Sequence, residues 1–241
     1  MTGPRRIVVL AGRGRYEDPW HDHAATSHAL ATLLGEVTVA GGKPHVEVRS
    51  VFRHVLEDLD TVDLLVVNSG RGRIDPEFDG ADDDWRAFHA RVEEWARAGG
   101  RILGIHQAAN TFLDAPGWEE VVGGRWIEGT SMHPEISEAT FRLEPGHVIT
   151  DGLPAVEAFD ERYCFLRVAP GAQVLGSVEG PAAVPDDDGS AASGTTSHPV
   201  LWVQEAHGGR TVYSALGHDL RSYASPTHQE LLRRAVAWLL G

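Results

Sequence analysis

The sequence has one cysteine in 241 residues, Cys164. That excludes an internal disulfide and any multi-cysteine zinc centre, and it suits a reducing compartment. Cys164 sits in Tyr163-Cys164-Phe165-Leu166 and reads as an inert strand thiol. No apolar run is long enough for a signal peptide or a membrane span, since Met1-Thr2-Gly3-Pro4 leads straight into a strand-like segment. The expectation is a cytoplasmic protein with no membrane partner. Basic residues are the minority, 21 Lys and Arg against 35 Asp and Glu, for a formal charge of -14. The arginines are scattered among acids rather than gathered in a stripe, and such a surface repels phosphate backbones, which argues against nucleic acid. A dinucleotide fingerprint is incomplete, because Glu17 stands where the third glycine would follow Gly12-Arg13-Gly14. There is no HxxxH or HExxH spacing and no internal repeat.

What is present is a full core. Hydrophobic residues make up 42% of the chain, enough for one α/β domain over residues 1–241. Arg6 to Ala11 reads as a buried strand, followed by a loop and a helix from about Ala24 to Gly35. Val37 to Ala40 and Val46 to Arg49 are candidate short strands, and Val62 to Val67 is a further buried one. A helix begins at Asp82-Asp83-Asp84, where acids suit the helix dipole, and runs to about Arg97. Gly99-Gly100 stops it, Arg101 to Ile105 forms the next strand, and the chain turns at His106 into a short helix through about Leu113. From Trp126 to Val178 short strands alternate, including Thr140 to Leu143 and Phe159 through Val168, which predicts an antiparallel extension. The stretch 181–197, with Asp186-Asp187-Asp188, predicts a mobile acidic loop. Leu201 to Val203 and Thr211 to Leu216 flank Gly208-Gly209 like a hairpin, and Pro226 opens a final helix. Strands alternating with helices predict a flavodoxin-like, mainly parallel sheet whose ligands bind beyond the strand carboxyl ends.

Four loops should meet at that edge: His21-Asp22-His23, the loop of Arg71 and Arg73, the turn at His106, and Gly217-His218-Asp219. Gly104-Ile105-His106-Gln107-Ala108 has the small-x-residue-x-small spacing of a nucleophile elbow, with an imidazole where serine or cysteine would stand. Covalent acyl chemistry is thereby excluded, leaving a general acid or base, or a metal ligand. His218 follows a strong strand and can reach the same cleft. Asp22 reads as a helix cap with His21 and His23 solvated beside it, although one of the two could turn inward. Met132-His133-Pro134-Glu135 and Asp160-Glu161-Arg162-Tyr163 add an imidazole and carboxylates whose direction spacing leaves open. Arg13, Arg15, Arg71 and Arg73 can hydrogen-bond sugar hydroxyls or a carboxylate, or form surface ion pairs.

With those residues in view, the chain resembles the trehalose-utilization, or ThuA-like, family, which shares the fold of class I glutamine amidotransferases. The resemblance rests on Gly104 to Ala108, His133-Pro134, His147 to Pro154, Asp160 to Tyr163, and Leu216 to Asp219 with Tyr223 and Pro226. The acidic stretch Asp186 to Ser197 departs from the family pattern. His106 stands where amidotransferases carry their cysteine, so glutamine hydrolysis is not implied. What the resemblance implies is a role in carbohydrate catabolism alongside sugar dehydrogenases, one of which, or a second copy of the chain, is the expected protein partner. The leading expectation is an enzyme acting on a sugar or keto-sugar as an isomerase, a lyase or a hydrolase. In it, His106 and His218 transfer protons beside Asp160 or Glu161, or hold a divalent metal such as zinc together with His21. Arg13, Arg71, Gln107, Asp219 and Tyr223 would bind the substrate. The competing expectation is a catalytically silent sugar-binding or accessory subunit in which Trp20, Trp118 or Trp126 stacks on the ligand.

Overall fold

A computed structural model describes residues 3–184 and 194–241. The first half of the chain gives β1 (Arg6–Ala11), α1 (His23–Gly35), β2 (His45–Ser50), β3 (Leu64–Asn68), a single-turn α2 (Pro76–Asp79), α3 (Asp82–Arg97) and β4 (Arg101–Ile105). The second gives α4 (Trp118–Val122), β5 (Gly124–Arg125), β6 (Ser137–Leu143), β7 (Val156–Asp160), β8 (Arg167–Val168), β9 (Gln173–Pro181), β10 (Thr195–Gln204), β11 (Arg210–Ser214) and α5 (Pro226–Leu240).

Nine of the strands form one sheet in the order β2-β1-β3-β4-β11-β10-β9-β6-β7. The first five positions are parallel throughout. Counting β11 as the fifth parallel strand, they follow the 2-1-3-4-5 order of flavodoxin-like sheets. Ile7 to Leu10, Leu64 to Val67 and Ile102 to Leu103 are sealed on both faces, which is why these strands read as unbroken apolar runs rather than alternating ones. The chain leaves β1 toward β2 on one side and leaves β3 toward β4 on the other. Right-handed crossovers therefore put α1 and α3 on opposite faces. α1 and α5 pack against each other, α1 over β1 to β3 and α5 over β4 and β11, while α3 contacts α4. Local sequence sets the helix ends. Asp22 caps α1 by accepting from Ala25 N, Ser225 caps α5 ahead of Pro226, and α3 lacks a side-chain cap but carries Asp82, Asp83 and Asp84 in its first turn.

The remaining strands are antiparallel and as extensive as the parallel part. Four expectations change here. Val37 to Ala40 makes only an isolated bridge, Val39 to Gly42, because Gly41-Gly42 turns the chain at once. After His106 there is one 3₁₀ turn, His106–Ala109, not a helix to Leu113. The segment expected as a strand from Phe159 through Val168 breaks at Asp160, whose carboxylate is committed to capping backbone N–H groups, and pairing resumes only at Arg167. Cys164 is thus a buried loop thiol, bridged to Met132, with burial pushing its pKa up to about 11. Finally, Pro181 still belongs to β9 and pairs with Thr195 of β10, so the ends of the expected acidic loop are hairpin; its centre, 185–193, lies outside the described residues.

Candidate functional site

The fold has a switch point where β1 lies between β2 and β3, and beyond the carboxyl ends of the strands the expected loops meet. The turn after β4 is strained as an elbow should be: His106 has φ 49, in the left-handed region that branched or bulky residues avoid. Gly104 makes that turn possible, because a Cβ there would press within 3.3 Å of Ala108, Val122 and Tyr213 together. The Tyr213 hydroxyl donates to the His106 carbonyl at 2.8 Å and fixes the strained residue.

Four side chains from four loops converge there. His106 Nε2 lies 3.1 Å from His21 Nε2 and 3.3 Å from Glu161 Oε2, while His218 Nδ1 lies 3.0 Å from His21 Nε2 and 3.2 Å from Glu161 Oε1. All four donor atoms fall within 4.8 Å of one another. Two hydrogen bonds fix how the imidazoles are presented. His106 Nδ1 is 2.6 Å from the Ala215 carbonyl and His21 Nδ1 is 2.7 Å from Asp18 Oδ1, acceptors that leave each Nδ1 no choice but to donate. In the neutral rings both Nε2 atoms then carry lone pairs, and they face each other with no hydrogen between them. A cation, whether a proton or a metal ion, removes that repulsion. Glu161 Oε2 is buried with no hydrogen-bond donor among the described residues. The Tyr163 hydroxyl, 3.0 Å from His106 Nε2, closes the floor.

The electrostatics favour positive charge at the centre. Burial opposes ionisation of Glu161, but His106 and His218 outweigh it and hold its carboxyl well below the usual range. Asp18 behaves alike: burial works against its charge, yet hydrogen bonds from His21 and Gln107 bring it down to about 2. Burial lowers His21, with Asp18 opposing, whereas in His106 the same burial is overcome by Glu161 and the pKa rises. Burial pushes the Tyr163 phenol well up, so it stays a neutral donor.

Above this floor opens a cavity of about 660 Å³. Gln107, Arg71, Trp126, His133 and Trp20 stand on its walls, Trp20 with 77% of its surface free. Gln107 donates to Asp18 Oδ2 at 2.6 Å, which leaves its buried Oε1 as an unpaired acceptor. His133 Nε2 sits 3.5 Å from Glu161 Oε1 and is not part of the four-residue cluster.

Of the residues singled out from sequence, the structure brings together His21, His106, His218 and Glu161, with Gln107 and Arg71 beside them. Others lie elsewhere. Asp160 is fully buried and turned away; it accepts from the N–H groups of Glu161, Gly217 and His218 and from Ser222, so it positions two loops rather than meeting a ligand. Arg13 pairs with Glu17 and lines a separate depression with Arg73. Asp219 pairs with Arg221. Tyr223 is buried beneath Gly217, stacked on His228. Arg15 is sunk among Asp79, Asp82 and Asp114. Trp118 is in the core, its indole N–H on the Ala108 carbonyl, and cannot stack on a ligand. His23 is not solvated: it is buried behind His21, and that burial lowers its pKa to about 4. Asp18 and Tyr163 were missed as site residues. The three-residue step from Asp18 to His21 was the available signal for the first.

A nine-stranded mixed sheet with a flavodoxin-like parallel half carries a histidine at the strained turn after β4. The trehalose utilisation (ThuA) family model matches residues 7–239, and the chain belongs to that family. A ThuA-like protein from Parabacteroides merdae shares 17% identity at a TM-score of 0.73, covering 98% of this chain and 90% of that one. One from Bacteroides uniformis shares 16% at 0.69, covering 99% and 93%. A cytoplasmic protein from Salmonella typhimurium shares 12% at 0.55, covering 97% and 96%. At these identities the likeness concerns the fold. No curated protein matches the chain. Among the described residues no helix is long and apolar enough to cross a membrane.

Proposed function

We propose that this chain is an enzyme of carbohydrate catabolism that acts on a sugar or keto-sugar with a divalent metal ion held by His21, His106, His218 and Glu161. The carrying observation is the convergence of those four donor atoms. Neighbouring donors stand 3.0 to 3.3 Å apart. That is the spacing expected around one ion with bonds of about 2.0–2.2 Å to imidazole and carboxylate. A single proton would engage two of these groups at a time, and one metal ion would engage all four. The outer contacts support the same reading, since Asp18 and the Ala215 carbonyl orient the ligand rings as metal-site partners do.

Such an ion, once bound, supplies Lewis-acid polarisation of a carbonyl and its neighbouring hydroxyl. The chain supplies the rest. His106 and His218 are occupied as ligands, so proton transfer falls to His133, whose Nδ1 lies 3.0 Å from the Pro134 carbonyl and whose Nε2 faces Glu161 and the cavity. It would take the proton from the hydroxyl-bearing carbon beside the carbonyl and return it to the former carbonyl carbon, while the hydroxyl proton passes to the former carbonyl oxygen, which completes an isomerisation. Arg71 and Asn110 offer hydrogen bonds to substrate hydroxyls from the cavity lining, and Trp126 walls the ring. Exposed Trp20 at the rim equally favours a second reading, capture of a sugar without turnover.

The test is elemental analysis of protein never exposed to chelator, with zinc, manganese and nickel titrations, on the wild type and on His106→Ala and His218→Ala. Near-stoichiometric metal in the wild type, lost in both variants, is expected; a wild type that binds none of the three ions sinks the metal reading. His133→Ala should keep its metal and lose turnover by about 100-fold or more. Full sugar binding with no turnover in the loaded wild type would favour the silent reading.

A further inference from the structure

A second cavity, of about 320 Å³, opens beside the first and shares Arg71, Gly72 and Asn110 with it. A Cβ on Gly72 would lie 1.9 Å from the Glu17 carbonyl oxygen, because the two loops pack backbone to backbone and Gly72 N–H donates to the Arg15 carbonyl at 2.8 Å. Glycine is therefore required at 72, where these loops meet at the boundary of the two cavities.

The second cavity has a built polar floor. Arg15 is buried and reaches Asp114 Oδ2 at 3.2 Å and Asp82 at 3.0 Å, with its Nε left unpartnered among the described residues. The buried Tyr16 hydroxyl lies 3.0 Å from both Asp114 oxygens and 2.8 Å from His89 Nε2. Asp114 is the partly exposed member of this group, so the cavity meets the edge of a carboxylate braced from behind by three buried polar side chains. Burying such groups is costly, and packed apolar residues would serve stability as well. Ile74 and Leu113, each about half exposed, add apolar surface to the lining.

We propose that this cavity is a second saccharide subsite, which takes the neutral distal ring of a two-ring glycoside whose reacting ring lies over the His21, His106, His218 and Glu161 cluster. A lining that combines apolar side chains with a carboxylate edge matches a pyranose, which has a C–H face and a rim of hydroxyls. The volume is at the low end of the usual range for ligand pockets, about 300–1,000 Å³, which suits one ring. Charge selects against phosphate: Arg15 is matched by Asp82 and Asp114, and Arg71 by Glu128 at 2.8 Å. The inference rests on the sugar reading of the first cavity and not on its metal.

Calorimetric titration of the full chain with α,α-trehalose, maltose, glucose and trehalose 6-phosphate tests it, using the wild type and the two wall variants Leu113→Trp and Ile74→Trp. At least one of the disaccharides should bind about tenfold or more tighter than glucose, and trehalose 6-phosphate no tighter than trehalose. Either variant should erase the disaccharide advantage while leaving glucose affinity and zinc content unchanged. Equal affinity for one and two rings in the wild type, no binding of either disaccharide, an advantage that survives both variants, or a preference for the phosphorylated sugar would each overturn it. Loss of the advantage in a protein that binds no zinc would uphold the subsite while the metal reading fell.

Discussion

Two histidine-bearing clusters lie near each other at the carboxyl edge and are built on opposite terms. In the Tyr16–His89–Asp114–Arg15 group every charge has a counter-charge: His89 Nε2 lies 3.0 Å from Asp114 Oδ1, and Arg15 bridges two aspartates. In the His21–His106–His218–Glu161 group two outer acceptors, Asp18 and the Ala215 carbonyl, engage the Nδ1 atoms of His21 and His106. They turn the Nε2 lone pairs of both rings inward, toward His218 Nδ1 and the Glu161 carboxylate. The first arrangement sets its aspartates against arginine and histidine, and the second aims four donor atoms at one point. A histidine near an acid therefore says little by itself; which nitrogen is already committed decides whether the pair braces a wall or awaits a cation.

The largest test of that contrast removes a ligand from the second cluster. Zinc at about 1,000 times its Kd should raise wild-type stability by about 4 kcal/mol. His106→Ala should show no such rise in calorimetric or urea unfolding; a variant stabilised as much as the wild type would place the metal elsewhere. Next comes Asp160, which holds the Glu161 and His218 loops together through Glu161, Gly217 and His218 N–H groups. Asp160→Asn should cost about 3 kcal/mol in urea unfolding, because a buried charge-assisted network loses its acceptor. An unchanged urea midpoint would mean the loops hold without it.

Much of this was legible beforehand. Buried runs such as Ile7 to Leu10 and Leu64 to Val67 announce parallel strands, and the spacing from Gly104 to Ala108 announces the elbow, because both are local consequences of packing and sterics. The trio His21, His106 and His218 could be grouped from topology alone, since each follows a strand of the parallel half. What was not legible is direction across the sheet. β7 is last in the strand order, yet the extension curls back so that Glu161 meets His106, while its neighbour Asp160 faces the opposite way. Adjacent residues at a strand end alternate, and sequence does not say which of the two faces the cleft. Tyr223 and Asp219 misled for the same reason. Motif residues surround a site as often as they enter it, and only the hydrogen-bond partners tell the two apart.

A weaker lever acts on the orientation of the cluster rather than on its ligands. Asp18→Asn leaves the four donor atoms in place but lets the His21 ring turn over, because an amide can accept from Nδ1 or donate to it. Metal affinity should fall about 10- to 100-fold, the usual consequence of losing an orienting partner. Isothermal titration with zinc would show it, and an unaltered Kd would mean that His21 is held by the ring stacking on His23 instead.

The smallest expected effect lies in the Tyr16–His89–Asp114–Arg15 cluster and depends on pH. Burial disfavours the Asp114 anion, but hydrogen bonds from His89 and Tyr16 prevail and hold its pKa down to about 2. An unfolded aspartate titrates near 3.9, about two units higher. A depressed folded pKa means that the stabilisation is fully present above about pH 4 and is lost as pH falls toward 2. Because the Asp114 side chain is 37% exposed, solvent screening discounts it to about 1 kcal/mol. Asp114→Asn should therefore lower the urea midpoint slightly at pH 6, and the gap between variant and wild type should narrow steadily at pH 4 and pH 3. A gap that stayed constant across that range would mean that Asp114 contributes through packing and geometry, with its charge playing no part in bracing the wall.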